Sequence, residues 1–494
     1  MIVVTLALAV LQPKPPPDLV LIQRVTVVDC SSPKPRPDKD VLIQGDKIVS
    51  VSKTRYPSGS AGARQRWDGR DVRVPGKTDY PSAPTGARVV DGKGKFLIPG
   101  LWDMHVHGSW IPSFAGIYLA NGVTGIRDMF DLVGGALSMR DAVKSGKMLG
   151  PRVFAAGKPI DGPEPFWPGS WTATTAADGR QRVRDALAQG SDFIKVYSLL
   201  PRDAFFGVAA EAKAHHVDFE GHVPESVTAL EASNAGMHSM EHLYGIQREC
   251  SPAFKEPVNV FTSKENSIKY NNLWLKTYDP KLAAKFFATL RKNHTYQTPT
   301  LTVLSWLYHP EDPRKEMQDR FAYMPQGFKQ RFESGRLDRF AHWTAPDFKL
   351  EAAMFQRALQ LVSAMNKAGV PILAGTDVMN PYCFPGFGLH DELHWLVKAG
   401  LTPFQALRAA TLTPAEFFGI QQSLGTVQAG KIADCVLLDA NPLRDIDNAS
   451  KISAVVANGR YLDKAALASL MPKNPRVALK DSDASYGVGN DDGF

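Results

Sequence analysis

The sequence contains little cysteine. Four of its 494 residues are Cys, and no two of them have the Cys-x-x-Cys spacing of zinc knuckles and redox motifs. This scarcity argues against a disulfide framework of the kind that stabilises small secreted domains. A single bridge is still open, and Cys250 with Cys383 is the expected pair if both residues follow strands of the main domain.

Long apolar runs are also missing. The run at residues 1–11 is too short to span a bilayer, and no other segment is long and apolar enough, so we expect no membrane span. Residues 1–11 resemble the core of a secretory signal, although a basic start and a small-x-small cleavage site are absent. We interpret residues 1–17 as a signal remnant or a disordered N-terminus, and favour export to the periplasm or medium over a cytoplasmic location.

Clusters of one charge are equally scarce. The net charge of +7 comes from 57 basic and 50 acidic residues, without a Lys/Arg block or interleaved basic and aromatic residues. These features argue against nucleic-acid binding.

Strand patterns flank a long α/β region. Branched apolar runs at 19–28, 41–51 and 87–90, and again at 432–438 and 454–457, predict strands. We expect residues 18–98 and 424–465 to form one composite β-sandwich, with an extended loop at 53–86. Residues 466–494 are polar towards their end and are predicted to be a C-terminal tail.

Residues 99–423 alternate strand and helix patterns. Eight units of this kind predict a (β/α)₈ TIM barrel, in which catalytic groups lie at the C-terminal strand ends. The predicted strands are 101–107, 123–129, 152–156, 193–197, 218–222, 239–243, 296–301 and 371–377. The long connections at 244–295 and 302–370 are interpreted as extra helices that bury aromatic side chains, with a substrate lid as the alternative.

Polar residues with ligand chemistry occur at five of these strand ends. His105 and His107 end the first strand, where residues two apart point the same way and can share a metal ion. Further candidates follow on strands four, five, six and eight: Lys195, His222, His242 and Asp377. Each alone is more often structural, but their joint placement predicts a metal centre.

At these residues the sequence resembles the amidohydrolase superfamily in its binuclear-metal branch. The motifs at 193–197, 241–242, 401–407 and 430–434 are most similar to imidazolonepropionase-like and prolidase-like members, including ochratoxin-type amidases. The resemblance implies two divalent ions, of which zinc best suits imidazole and carboxylate ligands. It also implies a division of the ligands: His105, His107 and Asp377 for the buried ion, His222 and His242 for the exposed one, and a CO₂-derived carbamate on Lys195 as the bridge.

Weaker candidates surround these ligands. Tyr197 shares a strand face with Lys195, and in similar enzymes a tyrosine here contacts substrate; a packed tyrosine is the alternative. Glu241 is predicted to face the other side of its strand from His242, where it would support a ligand from behind or form part of the barrel wall. Arg127 and Asp128 are interpreted as an ion pair near the rim.

The resemblance implies hydrolysis of an amide bond by a metal-bridging hydroxide, with Asp377 as the catalytic proton acceptor. The substrate would be a small-molecule amide: a dipeptide such as Xaa-Pro, an N-acyl amino acid or an ochratoxin-like amide. The other expected partners are further copies of the chain in a homo-oligomer. A cyclic-amide or lactone hydrolase with the same binuclear centre is the alternative enzyme. A non-catalytic barrel scaffold is the alternative of another class, since fold alone does not prove function.

Overall fold

The computed structural model describes residues 19–54, 64–67, 70–73, 83–254, 264–308 and 315–472. The predicted signal at 1–17 and the end of the predicted tail at 473–494 lie outside them. The strands in chain order are β1 Leu19–Val27, β2 Arg36–Gln44, β3 Lys47–Lys53, β4 Arg64–Trp67, β5 Arg70–Arg73, β6 Arg88–Asp91, β7 Phe96–Pro99, β8 Leu101–Val106, β9 Val123–Asp128, β10 Arg152–Ala155, β11 Ile160–Asp161, β12 Trp171–Thr172, β13 Ile194–Val196, β14 Phe219–Gly221, β15 Ser239–Glu241, β16 Tyr296–Thr298, β17 Cys435–Leu438, β18 Ile452–Ala457 and β19 Arg460–Asp463.

Helices occupy most of the connections between these strands. They are α1 Pro112–Ala120, α2 Gly135–Lys144, α3 Ala176–Gln189, α4 Arg202–Ala214, α5 Ala229–Asn234, α6 Ile246–Glu249, α7 Lys264–Thr277, α8 Pro280–Lys292, α9 Leu301–Tyr308, α10 Lys315–Gln318, α11 Phe328–Phe340, α12 Ala345–Ala368, α13 Phe387–Lys398, α14 Pro403–Ala409, α15 Leu412–Phe417 and α16 Lys464–Leu470. None of the described helices has the length and apolarity needed to cross a membrane.

The two ends of the chain build one sheet. Its hydrogen-bonded order is β19-β18-β17-β7-β1-β2-β3, with β6 also paired to β1. Strand β17 runs antiparallel to β7, so that Val436 lies opposite Ile98. The apolar face of this sheet buries residues from both ends of the chain, among them Val20, Val41 and Val456. The composite sheet predicted from the sequence is therefore present, whereas its sandwich form stays a prediction.

The region between these ends has a TIM-barrel-type arrangement of parallel strands and helices. In the described residues the strands form two hydrogen-bonded sheets, β10-β9-β8 and β12-β11-β13-β14-β15-β16, rather than one closed ladder. Seven of the eight predicted strands are present, each one to three residues shorter than predicted. Leu301, predicted to end the seventh strand, instead begins α9.

The predicted eighth strand at 371–377 does not form a regular strand. Its backbone still lies between β16 and β8, because Leu373 N donates to Gln297 O at 2.9 Å and Met104 N donates to Ala374 O at 2.8 Å. Gly375 permits this approach, since a Cβ there would lie 2.8 Å from the Cβ of His105. Beyond it, the left-handed backbone of Asp377, with φ of 63°, ends the extended run.

The long connections are helical, as predicted. Residues 264–292 form α7 and α8, and residues 301–368 contain α9 to α12 in their described parts. Phe321, Phe328 and Phe332 are buried in the main core, which supports the packing role over a lid. The extended loop predicted at 53–86 contains the two-stranded sheet β4-β5.

Two further predictions concern cysteine and the tail. The bridge between Cys250 and Cys383 that the sequence left open is not formed, because all four cysteines are free and buried. Burial raises the pKa of the Cys250 thiol to about 12 and that of Cys383 well above its ordinary value. The first residues of the predicted tail belong to α16, where Leu467 is buried in the main core.

Candidate metal centre

The structure brings the predicted ligands to one end of the parallel strands. His105 lies in β8 and His107 follows that strand, while Lys195 lies in β13. His222 and His242 directly follow β14 and β15, and Asp377 is the last residue of the segment at 371–377. All six residues are buried, with exposed fractions of 0% for His105, 8% for His107, 1% for Lys195, 3% for His222, 6% for His242 and 5% for Asp377. Their burial away from bulk water is expected of groups that hold an ion or one another.

Asp377 is the centre of this group. Its Oδ1 atom lies 3.1 Å from His107 Nε2 and 3.4 Å from His105 Nε2, and its Oδ2 atom lies 3.7 Å from His242 Nδ1. His105, His242 and Asp377 each offer one ligand atom within 4.8 Å of the others. One carboxylate therefore faces three imidazoles, a donor set that suits a divalent transition metal.

His222 and Lys195 lie beside this group. The His222 ring centroid is 4.9 Å from that of His242. The Lys195 Nζ atom is buried and has no hydrogen-bond partner in the described part of the chain. Gly221 makes room for this side chain, because a Cβ at that position would lie 2.7 Å from Lys195 Cδ. A buried amine without a partner is costly, which marks Lys195 as a functional candidate.

Hydrogen bonds fix the histidine rings from behind. His105 Nδ1 lies 2.7 Å from Glu241 Oε2, and His222 Nδ1 lies 2.8 Å from Ser198 Oγ. In both rings the Nδ1 atom is occupied, so Nε2 is the atom that can serve as a ligand. Outer partners of this kind orient a metal-binding imidazole and set its tautomer. His242 differs, since its Nδ1 atom faces both Thr300 Oγ1, at 2.7 Å, and Asp377.

The electrostatics favour neutral imidazoles and an ionised carboxylate. Burial lowers the pKa of His242 to about 4, although the negative charge of Asp377 acts in the opposite direction. Burial, followed by the positive charge of Lys195, places the pKa of His222 well below its ordinary value. Burial would raise the pKa of Asp377, but His242 and His105 outweigh it and hold that pKa below its usual range. Burial also lowers the pKa of Lys195 to about 8. Neutral imidazole and carboxylate are the forms that bind a metal ion.

Two of the candidate ligands have an unusual backbone. His242 has φ of 60° and Asp377 has φ of 63°, in the left-handed region that non-glycine residues rarely adopt. Thr300, the partner of His242, also lies there with φ of 47°. Such conformations cost free energy and concentrate at functional sites. Their concentration here supports a functional assignment for this strand end.

A buried ionic network that the sequence did not indicate supports the histidines. Arg127 is fully buried and donates to Glu241 Oε1 at 2.9 Å, to Ser239 Oγ at 2.8 Å and to Met104 O at 2.6 Å. Its NH1 atom also lies 3.0 Å from Glu220 Oε2. Arg127 thus joins carboxylates from β14 and β15 beneath the candidate ligands.

This network corrects two predictions. Arg127 does not pair with Asp128, whose carboxylate instead accepts from Ser109 N at 3.0 Å. Glu241 supports a candidate ligand, as one of its two predicted roles, but it does not face away from the site, because it contacts the ring of His105. The left-handed backbone at His242 breaks the strand alternation, so adjacent side chains both reach the interior.

Asp103 is a further buried carboxylate that sequence reasoning missed. It accepts from Thr376 Oγ1 at 2.7 Å and from Thr376 N at 3.1 Å. These bonds attach β8 to the residue that precedes Asp377. Its position two residues before His105 was the available signal, since it predicts the same strand face.

Tyr197 lies at the edge of the centre, as expected from its strand. Its ring stacks on His222 with centroids 4.0 Å apart and an interplanar angle of 29°. The hydroxyl accepts a hydrogen bond from Trp167 Nε1 at 2.8 Å. Tyr197 is therefore adjacent to a candidate ligand, and its contact with substrate stays a prediction.

The TIM-barrel-type fold, with histidines and an aspartate clustered at its strand ends, places this chain among barrel proteins with a candidate metal centre. Residues 96–462 match the sequence profile of the Amidohydrolase family. The chain therefore belongs to the Amidohydrolase family, whose members are enzymes that generally use divalent metal ions. The family resemblance inferred from the sequence is confirmed.

Curated relatives match the chain over short stretches. An imidazolonepropionase of Pseudomonas savastanoi is 35% identical over 98 residues, which are 19% of this chain and 24% of that protein. An adenine deaminase of Agrobacterium fabrum is 36% identical over 108 residues, or 21% of this chain and 18% of the relative. The matches thus span about a quarter or less of these relatives, and their activities do not transfer directly.

Solved structures match over nearly the whole chain. A bottromycin amidohydrolase has a TM-score of 0.69 and 21% identity, covering 92% of this chain and 88% of the other. A Xaa-Pro dipeptidase with bound methionine has a TM-score of 0.62 and 19% identity, covering 90% and 100%. Because these sequence identities are low, the structural similarity establishes a shared fold and does not by itself assign an activity.

Proposed function

We propose that the protein is a metal-dependent hydrolase of amide bonds in small substrates, such as a Xaa-Pro dipeptide, an N-acyl amino acid or an ochratoxin-like amide. One observation carries the proposal: Asp377 faces His105, His107 and His242, while His222 and Lys195 lie buried beside them. Family membership and structural neighbours named as amide hydrolases agree with this reading.

The donor atoms fit divalent ions. His105 Nε2 and Lys195 Nζ are buried without hydrogen-bond partners in the described residues, as expected of atoms that bind an ion or carry a modification. In this proposal His105, His107 and Asp377 hold one zinc ion, and His222 and His242 hold a second. Lys195 would carry a carbamate, formed when its neutral amine adds to CO₂ and releases a proton, and this anion would offset the charge of the two ions.

The ions, when bound, would lower the pKa of a water molecule and polarise a substrate carbonyl. The remaining steps belong to the chain. The Asp377 carboxylate accepts the proton of the attacking water and then delivers it to the leaving amine nitrogen, as a general base and acid. The bonds from Glu241 and Ser198 hold the rings of His105 and His222, which keeps the centre arranged before substrate arrives.

Other activities are kept as alternatives. The same centre would serve a cyclic-amide or lactone hydrolase, because one nucleophile opens either ring. Deamination, another reaction at a carbon–nitrogen bond, is a further alternative, because adenine deaminases are among the relatives. A non-catalytic scaffold is disfavoured, since all six ligand positions hold residues of the required type. Homo-oligomerisation and export stay predictions from the sequence.

The test is a substrate panel on zinc-loaded protein. The panel contains Xaa-Pro dipeptides, N-acyl amino acids, a cyclic amide, a lactone and adenine, with products identified by mass spectrometry. We expect cleavage of a linear amide that stops when the ions are removed by chelation. Ammonia release from adenine alone, or ring opening alone, would replace the proposal by the matching alternative. No turnover with both ions bound would favour the scaffold.

A further inference from the structure

Four aromatic side chains form a connected wall next to the candidate metal centre. The Phe130 ring lies 5.9 Å from Trp167 and 6.0 Å from Tyr197, measured between centroids. Phe166 lies 5.3 Å from Trp167 and 5.9 Å from Tyr197. We call this group the aromatic wall. Such spacings are those of rings in mutual edge or tilted contact.

The aromatic wall touches candidate ligands of both ions. Phe130, which follows β9, packs on the His107 ring with centroids 4.2 Å apart. Tyr197, which follows β13, stacks on His222 at 4.0 Å. The wall therefore runs from one proposed ion to the other, at the end of the strands where a substrate would bind. Any group of a substrate that lies against it is close to the bond that reacts.

The loop that carries Phe166 and Trp167 is held in place by polar contacts. Asp161 accepts from Phe166 N at 2.9 Å and from Leu199 N at 2.8 Å, which joins this loop to the segment after Tyr197. Trp167 Nε1 donates to the Tyr197 hydroxyl at 2.8 Å. A subsite arranged before binding loses little conformational entropy when it is filled.

Exposure differs along the aromatic wall. Phe130 is 4% exposed and Tyr197 is 5% exposed, so they pack deep in the site. Phe166 and Trp167 are only partly buried. The wall thus runs from the interior to the surface, with aromatic area still open to a ligand at its outer end.

We propose that the aromatic wall is a substrate subsite that selects amides with an aromatic group next to the scissile bond. This inference rests on the proposed amide hydrolysis and adds the substrate class. A phenyl ring gains from burial of its area and from ring–ring contacts, and a methyl group gains little of either. A preference of about tenfold or more for the aromatic member of a matched pair is expected.

Kinetics on matched substrates test the subsite. The pairs are N-acetylphenylalanine with N-acetylalanine, and N-benzoylglycine with N-acetylglycine, so that each side of the amide is probed. We expect a kcat/KM ratio of about 10 or more for one pair, and a fall of this ratio in Trp167→Ala and in Phe166→Ala. Trp167→Phe keeps a ring and should retain most of the preference, while it removes the bond to Tyr197.

Phe206→Ala is the matched control. Phe206 is a partly buried aromatic residue on α4 that contacts Phe205 and Arg202, outside the aromatic wall. Its loss should leave the ratio at the wild-type value. If Trp167→Ala and Phe166→Ala both keep the wild-type ratio, the wall is core packing and the proposal is overturned.

Calorimetric measurement of ligand binding tests the subsite independently of amide hydrolysis. The zinc-loaded protein is titrated with L-phenylalanine and L-alanine, and with benzoate and acetate, none of which requires turnover. Tighter binding of one aromatic ligand by about tenfold, lost in Trp167→Ala, supports the subsite even if no amide is cleaved. Amide cleavage without an aromatic preference in either measurement would overturn the subsite and leave the proposed function standing.

Discussion

His105 and Glu241 form a fully buried pair in which the Nδ1 atom lies 2.7 Å from the carboxylate Oε2 atom. Arg127 donates to both oxygens of the same carboxylate, at 2.9 Å to Oε1 and 3.1 Å to Oε2. Glu241 therefore fixes the ring of His105 so that Nε2 points to Asp377, at 3.4 Å. The pair links the candidate metal centre to the ionic network below it.

We expect Glu241→Gln to weaken metal binding by about 10- to 100-fold, because the amide keeps the shape but removes the charge that makes the His105 ring a better donor. Competition with a chelator of known affinity measures the change. Glu220→Gln is the matched control, since Glu220 also pairs with Arg127, through NH1, and makes no hydrogen bond to His105 in the described contacts. Equal losses of metal affinity in both variants would show that the effect comes from the ionic network around Arg127 and not from the contact of Glu241 with His105.

Purified protein is expected to contain two divalent ions per chain, most of them zinc. His107→Ala should reduce the bound metal and abolish activity, because it removes a predicted ligand of the buried ion. Elemental analysis after gel filtration gives the ratio. His294→Ala, which changes an exposed histidine after α8, should keep the full metal content. Metal-free protein with activity indifferent to chelators would contradict the assignment.

Lys195→Ala should lose both metal and activity, since the carbamate would supply the anion between two cations. Short carboxylic acids such as acetate should restore part of both by taking its place. Metal content and turnover are measured with and without the acid, and Lys213→Ala on α4 is the control on an exposed lysine. An experimental structure with a bare Lys195 amine at full metal occupancy would refute this role.

Asp377→Asn should lower kcat by about 10²- to 10⁴-fold, with a smaller change in KM, because the amide keeps one ligand oxygen but cannot accept a proton. Metal content is measured on the same sample, since Asp377 is also a predicted ligand. Near-normal turnover with both ions bound would assign the proton transfer to another group.

Glu392 provides a prediction about stability. Its fully buried carboxylate accepts from Thr302 N at 2.7 Å and Oγ1 at 2.9 Å, yet burial raises its pKa from 4.5 to about 8. Between these pH values the folded state binds this proton more tightly than the unfolded state, so the free energy of unfolding falls as pH rises. Glu392→Gln cannot titrate, and should make that fall shallower by up to about 1.4 kcal/mol per pH unit.

Urea unfolding at several pH values from 5 to 8 measures the slope for Glu392→Gln. Glu333→Gln is the control, because Glu333 lies near the surface with a side chain that is 42% exposed. It should leave the slope as in the wild type. An unchanged slope in Glu392→Gln would mean that this carboxylate is already ionised in the folded protein.

The sequence was sufficient to predict the strand ends and the residues that gather there. The alternation of side chains along a strand predicts that His105 and His107 share a face, and both rings lie beside Asp377. They do so although β8 ends at Val106 and its pairing with β9 shifts between Asp103 and Val106. The alternation of side chains does not hold from Glu241 to His242, because His242 has a left-handed backbone. No local residue pattern predicts that conformation. Tertiary contacts hold that conformation, among them the bond from His242 to Thr300.

The eighth strand shows a second limit. Residues 371–377 have the apolar run of a strand, yet side-chain bonds replace part of the ladder: Thr376 N donates to Asp103 Oδ1 at 3.1 Å. Such bonds depend on a residue far away in the chain, so composition alone cannot anticipate them. The predicted pairing of Arg127 with Asp128 was wrong for the same reason, because the partners of Arg127 come from β14 and β15.

The composite sheet has a consequence for synthesis on the ribosome. Strand β7, which leads through Gly100 into the strand of His105, pairs with β17 near the other end of the chain. While the chain is growing, β7 emerges with one edge unpaired, and an exposed edge invites aggregation. Its partner becomes available only after the ribosome has translated Asp377 and the helices that follow. The segment entering β8 therefore reaches its final support late in synthesis.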